Sequence, residues 1–232
     1  MKGLCAMIPA RIGSTRLKKK NLALLNGNPL ISYSINAAIE SNVFSKIVLN
    51  ADDLIFENIA ARYGVDFYLR PKSLGTSETK SDEVIADFMK NFENFDTLVW
   101  VNPIDPFTTG REIKKVTNFF FKENLDSLIT SETKQVHAKY LDKPLNYDEK
   151  ELFALTQELN SIQLFNYSIM MWNYQSFLDE FERFGFAFFS GKSNLINLSN
   201  KRIIIKTKED LIMAEILLGN DTREVKYDSV LD

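Results

Sequence analysis

Residues 8–22 read IPARIGSTRLKKKNL, which places Arg11, Arg16, Lys18, Lys19 and Lys20 within ten positions, beside Gly13 and directly behind an apolar run. Cations this dense around a glycine suit a ligand with several negative charges. Guanidinium and ammonium groups neutralise it, and a glycine lets backbone N–H groups come close. The chemistry this supports is the handling of a triphosphate. The stretch fits neither GxxxxGK[ST] nor GxGxxG, so the two commonest nucleotide loops do not describe it. A basic solvated turn is the plain alternative, which the loop alone leaves open.

Other reactive side chains are sparse. One cysteine, Cys5, excludes an internal disulfide, and one histidine, His137, leaves no Cys/His zinc constellation, though a hard metal held by oxygen ligands stays open. A lone histidine in a polar stretch reads as a surface or hydrogen-bonding residue rather than a base. Asp52 and Asp53 stand just before a helical segment, where an aspartate is most often a cap. Lysine plus arginine is 28 against 31 acidic residues, so a net charge of −3 offers no footprint for a nucleic-acid backbone and any polyanion site must be local. The start carries no signal-peptide pattern, and no run reaches the roughly 18 apolar residues of a membrane helix. The expectation is a cytoplasmic protein that binds neither nucleic acid nor membrane.

The elements that must position the cations follow from periodicity. Gly3 to Pro9, Lys46 to Asn50, Asp66 to Leu69 and Thr97 to Asn102 are short apolar runs that read as strands. Between them Leu30 to Ser41, Asp53 to Tyr63, Ser81 to Phe92 and Arg111 to Glu123 read as helices, with Gly64 closing the second. Strand alternating with helix predicts an α/β fold, a mostly parallel central sheet with helices on both faces. From Gln135 to Asn173 the pattern turns polar and then alternates, which predicts a β-rich flap or interface element within a single domain spanning 1–232. Arg202 to Lys206 (RIIIK) reads as a last strand and Thr207 to Leu218 as a last helix. The aromatic run FERFGFAFF at 181–189 reads as core packing or a subunit contact. Ligands of such sheets gather beyond the carboxyl ends of the strands, and the basic loop sits at one of them.

The loop resembles the signature IPARxGSxRLPGKNL of the cytidylyltransferases that activate sugar acids, the CMP-sialic acid synthetases and the 3-deoxy-manno-octulosonate cytidylyltransferases. Further blocks follow in order: NADD at 50–53, YLRP at 68–71, TSETKSDEV at 76–84, VNPIDPF at 101–107 and KTKEDLIMAEILL at 206–218. The resemblance implies a nucleotide-diphospho-sugar transferase-like fold and transfer of CMP from CTP to a small acidic acceptor, a nonulosonic or ulosonic sugar acid, with release of pyrophosphate. It implies phosphate-binding, catalytic roles for Arg11 and Lys20. Nucleotide contacts are implied at Ala10, Arg11, Gly13, Ser14, Lys20, Asn21, Arg70, Thr79 and Ser81, and acceptor contacts at Asn102, Lys139 and Asn166. Ser81 equally fits an N-cap, Arg70 a partner for a surface carboxylate and Asn21 a turn residue. The element at 135–173 is expected to build a homodimer. Alternatives are a phosphonate or phosphorylated polyol as acceptor, or a CTP-binding paralogue without turnover.

The chain departs from this pattern where the sialic acid synthetases carry their magnesium aspartates in IDIDT; here Ile204 and Lys206 stand instead. Asp105, in the NPIDP turn, is the candidate magnesium ligand from the other side of the site, or else a cap for the turn before Pro106. Lys206 could alternatively place a fixed ammonium near the triphosphate.

Overall fold

A continuous apolar run gives a strand two faces to bury, and the computed structural model, which describes residues 3–198 and 201–219, covers both. The chain runs β1 (Leu4–Ala10), β2 (Leu24–Leu25), β3 (Asn28–Pro29), α1 (Leu30–Ser41), β4 (Lys46–Ala51), α2 (Ile55–Tyr63), β5 (Asp66–Leu69), α3 (Ser81–Asn91) and β6 (Thr97–Val101). It continues through α4 (Gly110–Lys122), β7 (Ser127–Lys134), β8 (Lys139–Tyr140), β9 (Lys143–Pro144), β10 (Ile162–Asn173), α5 (Tyr174–Phe184), β11 (Ser193–Asn197) and α6 (Lys208–Leu218). Seven strands make the central sheet, in the order β11-β7-β10-β6-β1-β4-β5. All neighbours are parallel except β10, which is antiparallel to both β6 and β7. The α/β expectation holds.

The two faces can be read residue by residue. Ile8, Val99 and Ile169 point to one side, under Ile31 and Ile35 of α1, Phe56 of α2 and Ile113 and Val116 of α4. Met7, Leu98, Trp100, Met170 and Trp172 point to the other, under Ile85 and Phe88 of α3 and Phe177 of α5. A smaller cluster joins Leu25, Leu30, Ile205 and Ala214, so α6 closes over the basic loop rather than over the sheet.

Three readings change. The stretch from 135 to 173 divides: β10 is a full member of the central sheet, and only the β8–β9 hairpin with the turn at Thr156–Glu158 stands outside it. Its polar first half cannot bury a face, whereas IQLFNYSIMMWN can. Residues 202–206 form no strand, because Arg202 turns into the interior and Ile205 makes one backbone–backbone bond, N–H to the Ile104 carbonyl, at 2.7 Å. Ser81 is the first residue of α3 and makes no capping bond; the Glu83 carboxylate instead accepts from the Lys80 N–H at 2.7 Å.

Candidate functional site

From β1 the chain builds outward through β4 to β5, and α3 then carries it back to β6 on the other side of β1. Ligands of α/β sheets settle at such a reversal, beyond the carboxyl ends of the strands. There a cavity of about 260 Å³ is lined by Ala10, Arg11, Ser14, Lys20, Asn21, Arg70, Thr76, Thr79, Ser81, Trp100 and Asn102, among others. The geometry thus brings together every expected nucleotide-contacting residue except Gly13. A roomier hollow of about 540 Å³ lies at the opposite edge, beside Leu4 and Thr97, but its charged lining residues are Glu93 and Asp96, the wrong sign for a polyanion.

Short interactions hold the basic loop. The Ile12 N–H donates to Asp52 Oδ1 at 2.9 Å, and the Asp52 carboxylate lies against Gly75, where a Cβ would come within 2.3 Å of Oδ2. Arg11 Nη1 donates to the Thr76 carbonyl at 3.1 Å. Asp52 is therefore a clamp on the loop and not a helix cap; Asp53 Oδ1 accepts from the Ile55 N–H at 2.9 Å, at the first residue of α2. Gly13 was expected to permit a tight turn, but it has no left-handed φ and a Cβ there would meet nothing within 4 Å. The left-handed residue of the loop is Lys19, at φ 51°.

Lys20 follows that turn, and its Nζ donates to the Ile205 carbonyl at 3.2 Å. Burial pushes its pKa down to about 8, aided by the positive charges of Arg11, Arg16 and Lys206 and opposed by Asp210. Arg70 is buried, and its guanidinium donates to neutral oxygens, the carbonyls of Leu74 at 3.2 Å and Asn50 at 2.7 Å and Asn50 Oδ1 at 3.3 Å. Burial also lowers the Arg70 pKa from its ordinary value, with Asp52 and Asp87 acting against that. Among the described residues no Asp or Glu lines this cavity, so the nearest carboxylates to its three cations stand behind its wall. Of the buried side-chain atoms without a partner among the described residues, two lie in this lining: Asn21 Oδ1, an acceptor, and Trp100 Nε1, a donor. Both belong to residues lining the cavity, where a ligand with matching groups satisfies them.

A second cavity of about 570 Å³ adjoins the first. It shares Ser81, Trp100, Asn102 and Ile104 and adds Phe165, Tyr167, Met170, Phe188 and Phe189, with no charged side chain in its lining. Tyr167 reaches it from a break in β10 pairing, where its φ is +57°.

Three expected site residues lie elsewhere. Lys139 is on the exposed β8–β9 hairpin, paired with Glu149 at 2.6 Å. Asn166 is buried beneath the break in β10, where Oδ1 accepts from Thr130 Oγ1 at 2.6 Å and from the Ser168 N–H at 3.1 Å. Asp105 is 0% exposed. Its carboxylate accepts from the Phe107 N–H at 3.0 Å and Thr108 Oγ1 at 3.1 Å and pairs with Arg202 at 2.5 Å, which corrects the expectation of a magnesium ligand. Among the described residues no group of three or more His, Cys, Asp or Glu could hold a metal. Arg202 and the unpartnered indole N–H of Trp100 escaped sequence reading. A cation heading the apolar run IIIK was the available signal for the first.

Residues 5–212 match the cytidylyltransferase family. The chain is similar to the N-acylneuraminate cytidylyltransferase of Escherichia coli O18:K1:H7, 28% identical over 207 residues, covering 85% of this chain and 49% of that one. It thus spans about half the length of that relative. It is also similar to the pseudaminic acid cytidylyltransferase of Campylobacter jejuni strain 81-176, 27% identical over 228 residues, covering 94% and 96% of the two chains. In fold it is like the structure of CMP:2-keto-3-deoxy-manno-octonic acid synthetase complexed with CTP, with a TM-score of 0.70 at 12% identity, over 93% of this chain and 98% of that one.

Proposed function

The chain belongs to the cytidylyltransferase family, and from that premise we propose that it transfers CMP from CTP to a sugar acid. In this reading the acceptor's hydroxyl oxygen bonds to the α-phosphorus, the bond from that phosphorus to the β-bridging oxygen breaks, pyrophosphate leaves and the hydroxyl proton passes to solvent. The protein has little covalent work in such a step; it must neutralise charge and align two reactants. The observation that carries the proposal is the pair of adjoining cavities, one holding Arg11, Lys20 and Arg70 without a carboxylate, the other uncharged and aromatic, with Trp100, Asn102 and Ser81 shared between them. The first suits the triphosphate and cytidine, with Asn21 Oδ1 and Trp100 Nε1 as unsatisfied polar atoms for the ligand. The second suits the sugar acid, and its aromatic wall favours one with acyl or deoxy groups over one with a polyhydroxyl tail. A divalent ion arriving with CTP would be held by the phosphates. Consumption of CTP points to a cytoplasmic enzyme, and no helix among the described residues is long and apolar enough to cross a membrane.

The test is pyrophosphate release from four nucleoside triphosphates against a panel of sugar acids, with and without magnesium. Release with CTP and an acylamido sugar acid is the expected outcome. Release with another nucleotide but not CTP sinks the proposal. A second reading, a nucleotide-binding protein without turnover, is favoured by the commitment of Asp105 to Arg202; CTP binding with no release against any acceptor selects it.

A further inference from the structure

A buried cluster of three charges touches no cavity surface named so far. Arg202, its side chain 3% exposed, pairs through Nη1 with Asp105 Oδ2 and through Nη2 with Glu112 Oε1, each at 2.5 Å, and Nη1 also lies 3.4 Å from Ser168 Oγ. Burying one guanidinium with two carboxylates seldom adds net stability, and well-packed apolar residues would anchor the segment as firmly. Such a cluster fixes one arrangement and its register.

What it fixes lies three residues on. The Ile205 N–H donates to the carbonyl of Ile104, a residue lining both cavities, at 2.7 Å. The Ile205 carbonyl in turn receives Lys20 Nζ at 3.2 Å. Beyond it, the N–H groups of Lys206 and Thr207 both donate to Asp210 Oδ2 at 2.8 Å, tying the segment to the first turn of α6. Residues 202–206 are therefore a strap, pinned at one end by ion pairs and at the other by a helix cap, which presents one carbonyl to one lysine.

We propose that Arg202 is a positioning residue: its ion pairs with Asp105 and Glu112 hold the Ile205 carbonyl where it aims the Lys20 ammonium into the phosphate cavity. The inference rests on the reading of that cavity as a triphosphate site. Lys20 is faced by Arg11 and Arg16 from its own loop and by Lys206 and Asp210 from the strap and α6. Loosening the strap takes Lys20 out of its burial and away from Lys206, so its titration moves up in pH.

The experiment titrates the parent and Arg202→Met with CTP, inorganic pyrophosphate and, by ligand-observed NMR, cytidine. CTP and pyrophosphate affinity should fall by about tenfold or more, the weight of one charge-assisted contact, while cytidine affinity stays within about twofold. The alkaline limb of pyrophosphate binding should move to higher pH, which a merely structural loss would not produce. Arg202→Met leaves two carboxylates uncompensated in the interior. The same titrations are therefore run on Arg202→Met combined with Asp105→Asn and Glu112→Gln, which removes all three charges, and on Arg202→Lys, expected to fall between parent and Arg202→Met. Unchanged pyrophosphate binding in the triple variant, or a loss equal for cytidine, overturns the proposal. A parent that binds pyrophosphate but not CTP overturns the cytidylyltransferase reading while the strap is still read from pyrophosphate; a parent that binds neither overturns both.

Discussion

A lysine whose pKa sits at about 8 changes charge within reach of ordinary assay conditions, and Lys20 is such a group. Its shift is downward, so the ammonium is present below about 8 and is lost as the pH rises through that value. A bound triphosphate favours the charged form, so CTP binding at pH 9 should take up a proton, and affinity should decline by up to about tenfold per unit above the free value. Calorimetry in buffers of different ionisation enthalpy measures the uptake, and Lys20→Arg should remove both effects. Lys20→Ala and Arg11→Ala should each cost about 1.5–3 kcal/mol of CTP binding, with the melting temperature almost unmoved. If both variants bind like the parent, the cavity does not hold phosphates. The cations were noticed because they crowd one loop, and Asn21 and Arg70 because the loop and YLRP resemble family blocks; the structure places all of them in one cavity lining except Arg16, Lys18 and Lys19. Asp105 was misread because its partner is 97 residues away, and no local pattern distinguishes a carboxylate awaiting a metal from one awaiting Arg202.

Periodicity carried the first half of the chain, where each strand and helix has its own apolar stripe; α1 and β5 begin and end where the alternation predicts. It failed where burial comes from partners distant in sequence. Ser127–Lys134, with only Leu128 and Ile129 strongly apolar, becomes β7 because β10 and β11 flank it. The helix at Tyr174–Phe184 went unread, its last turn running into the aromatic run at 181–189; its Phe177 packs into the core while Phe184 is exposed. RIIIK has the composition of a strand, yet it pairs with neither edge of the sheet, β11 or β5. Between elements, the least visible contact was the one from β4 to the basic loop, through Asp52 and the bare face of Gly75. Its test is a pair of substitutions. Gly75→Ala puts a methyl group where the Asp52 carboxylate stands, so the Ile12 N–H loses its acceptor and CTP affinity should fall about tenfold. Asp52→Asn keeps an acceptor oxygen at the same place and should bind within about threefold of the parent. Equal behaviour of the two variants in calorimetry would show that the clamp does not set the loop.

At the scale of the whole molecule, the β8–β9 hairpin and the turn beyond it raise the question of what covers them. Asn146 ties this region together, donating through Nδ2 to the carbonyls of Val136 at 2.9 Å and Asn160 at 2.7 Å, and His137 stacks on Phe153 with ring centroids 4.0 Å apart. Ordered in this way, it still leaves Leu152 97%, Leu141 77% and Phe153 73% exposed. Leu141 sits at the hairpin tip with φ +46°, a conformation unfavourable for a leucine and one that an isolated surface turn would give to Asn or Gly. Apolar side chains presented on an ordered, strained scaffold are the signature of a protein contact, and for a chain meeting its own copy the simplest closed arrangement is a twofold dimer. The protein should therefore scatter light as a homodimer at micromolar concentration, and Leu141→Glu with Leu152→Glu should convert it to a monomer of unchanged helix content. Because both replaced side chains lie outside the two cavities, the monomer should bind CTP as the parent does. Acceptor turnover is the more sensitive quantity: Phe165 and Tyr167 of the aromatic cavity are part-exposed on the same side of β10 as the break in its pairing, so a partner closing over them would exclude water from the reacting groups. A parent with the monomer mass removes the dimer, and a monomeric variant with full turnover confines the dimer to a role outside the site.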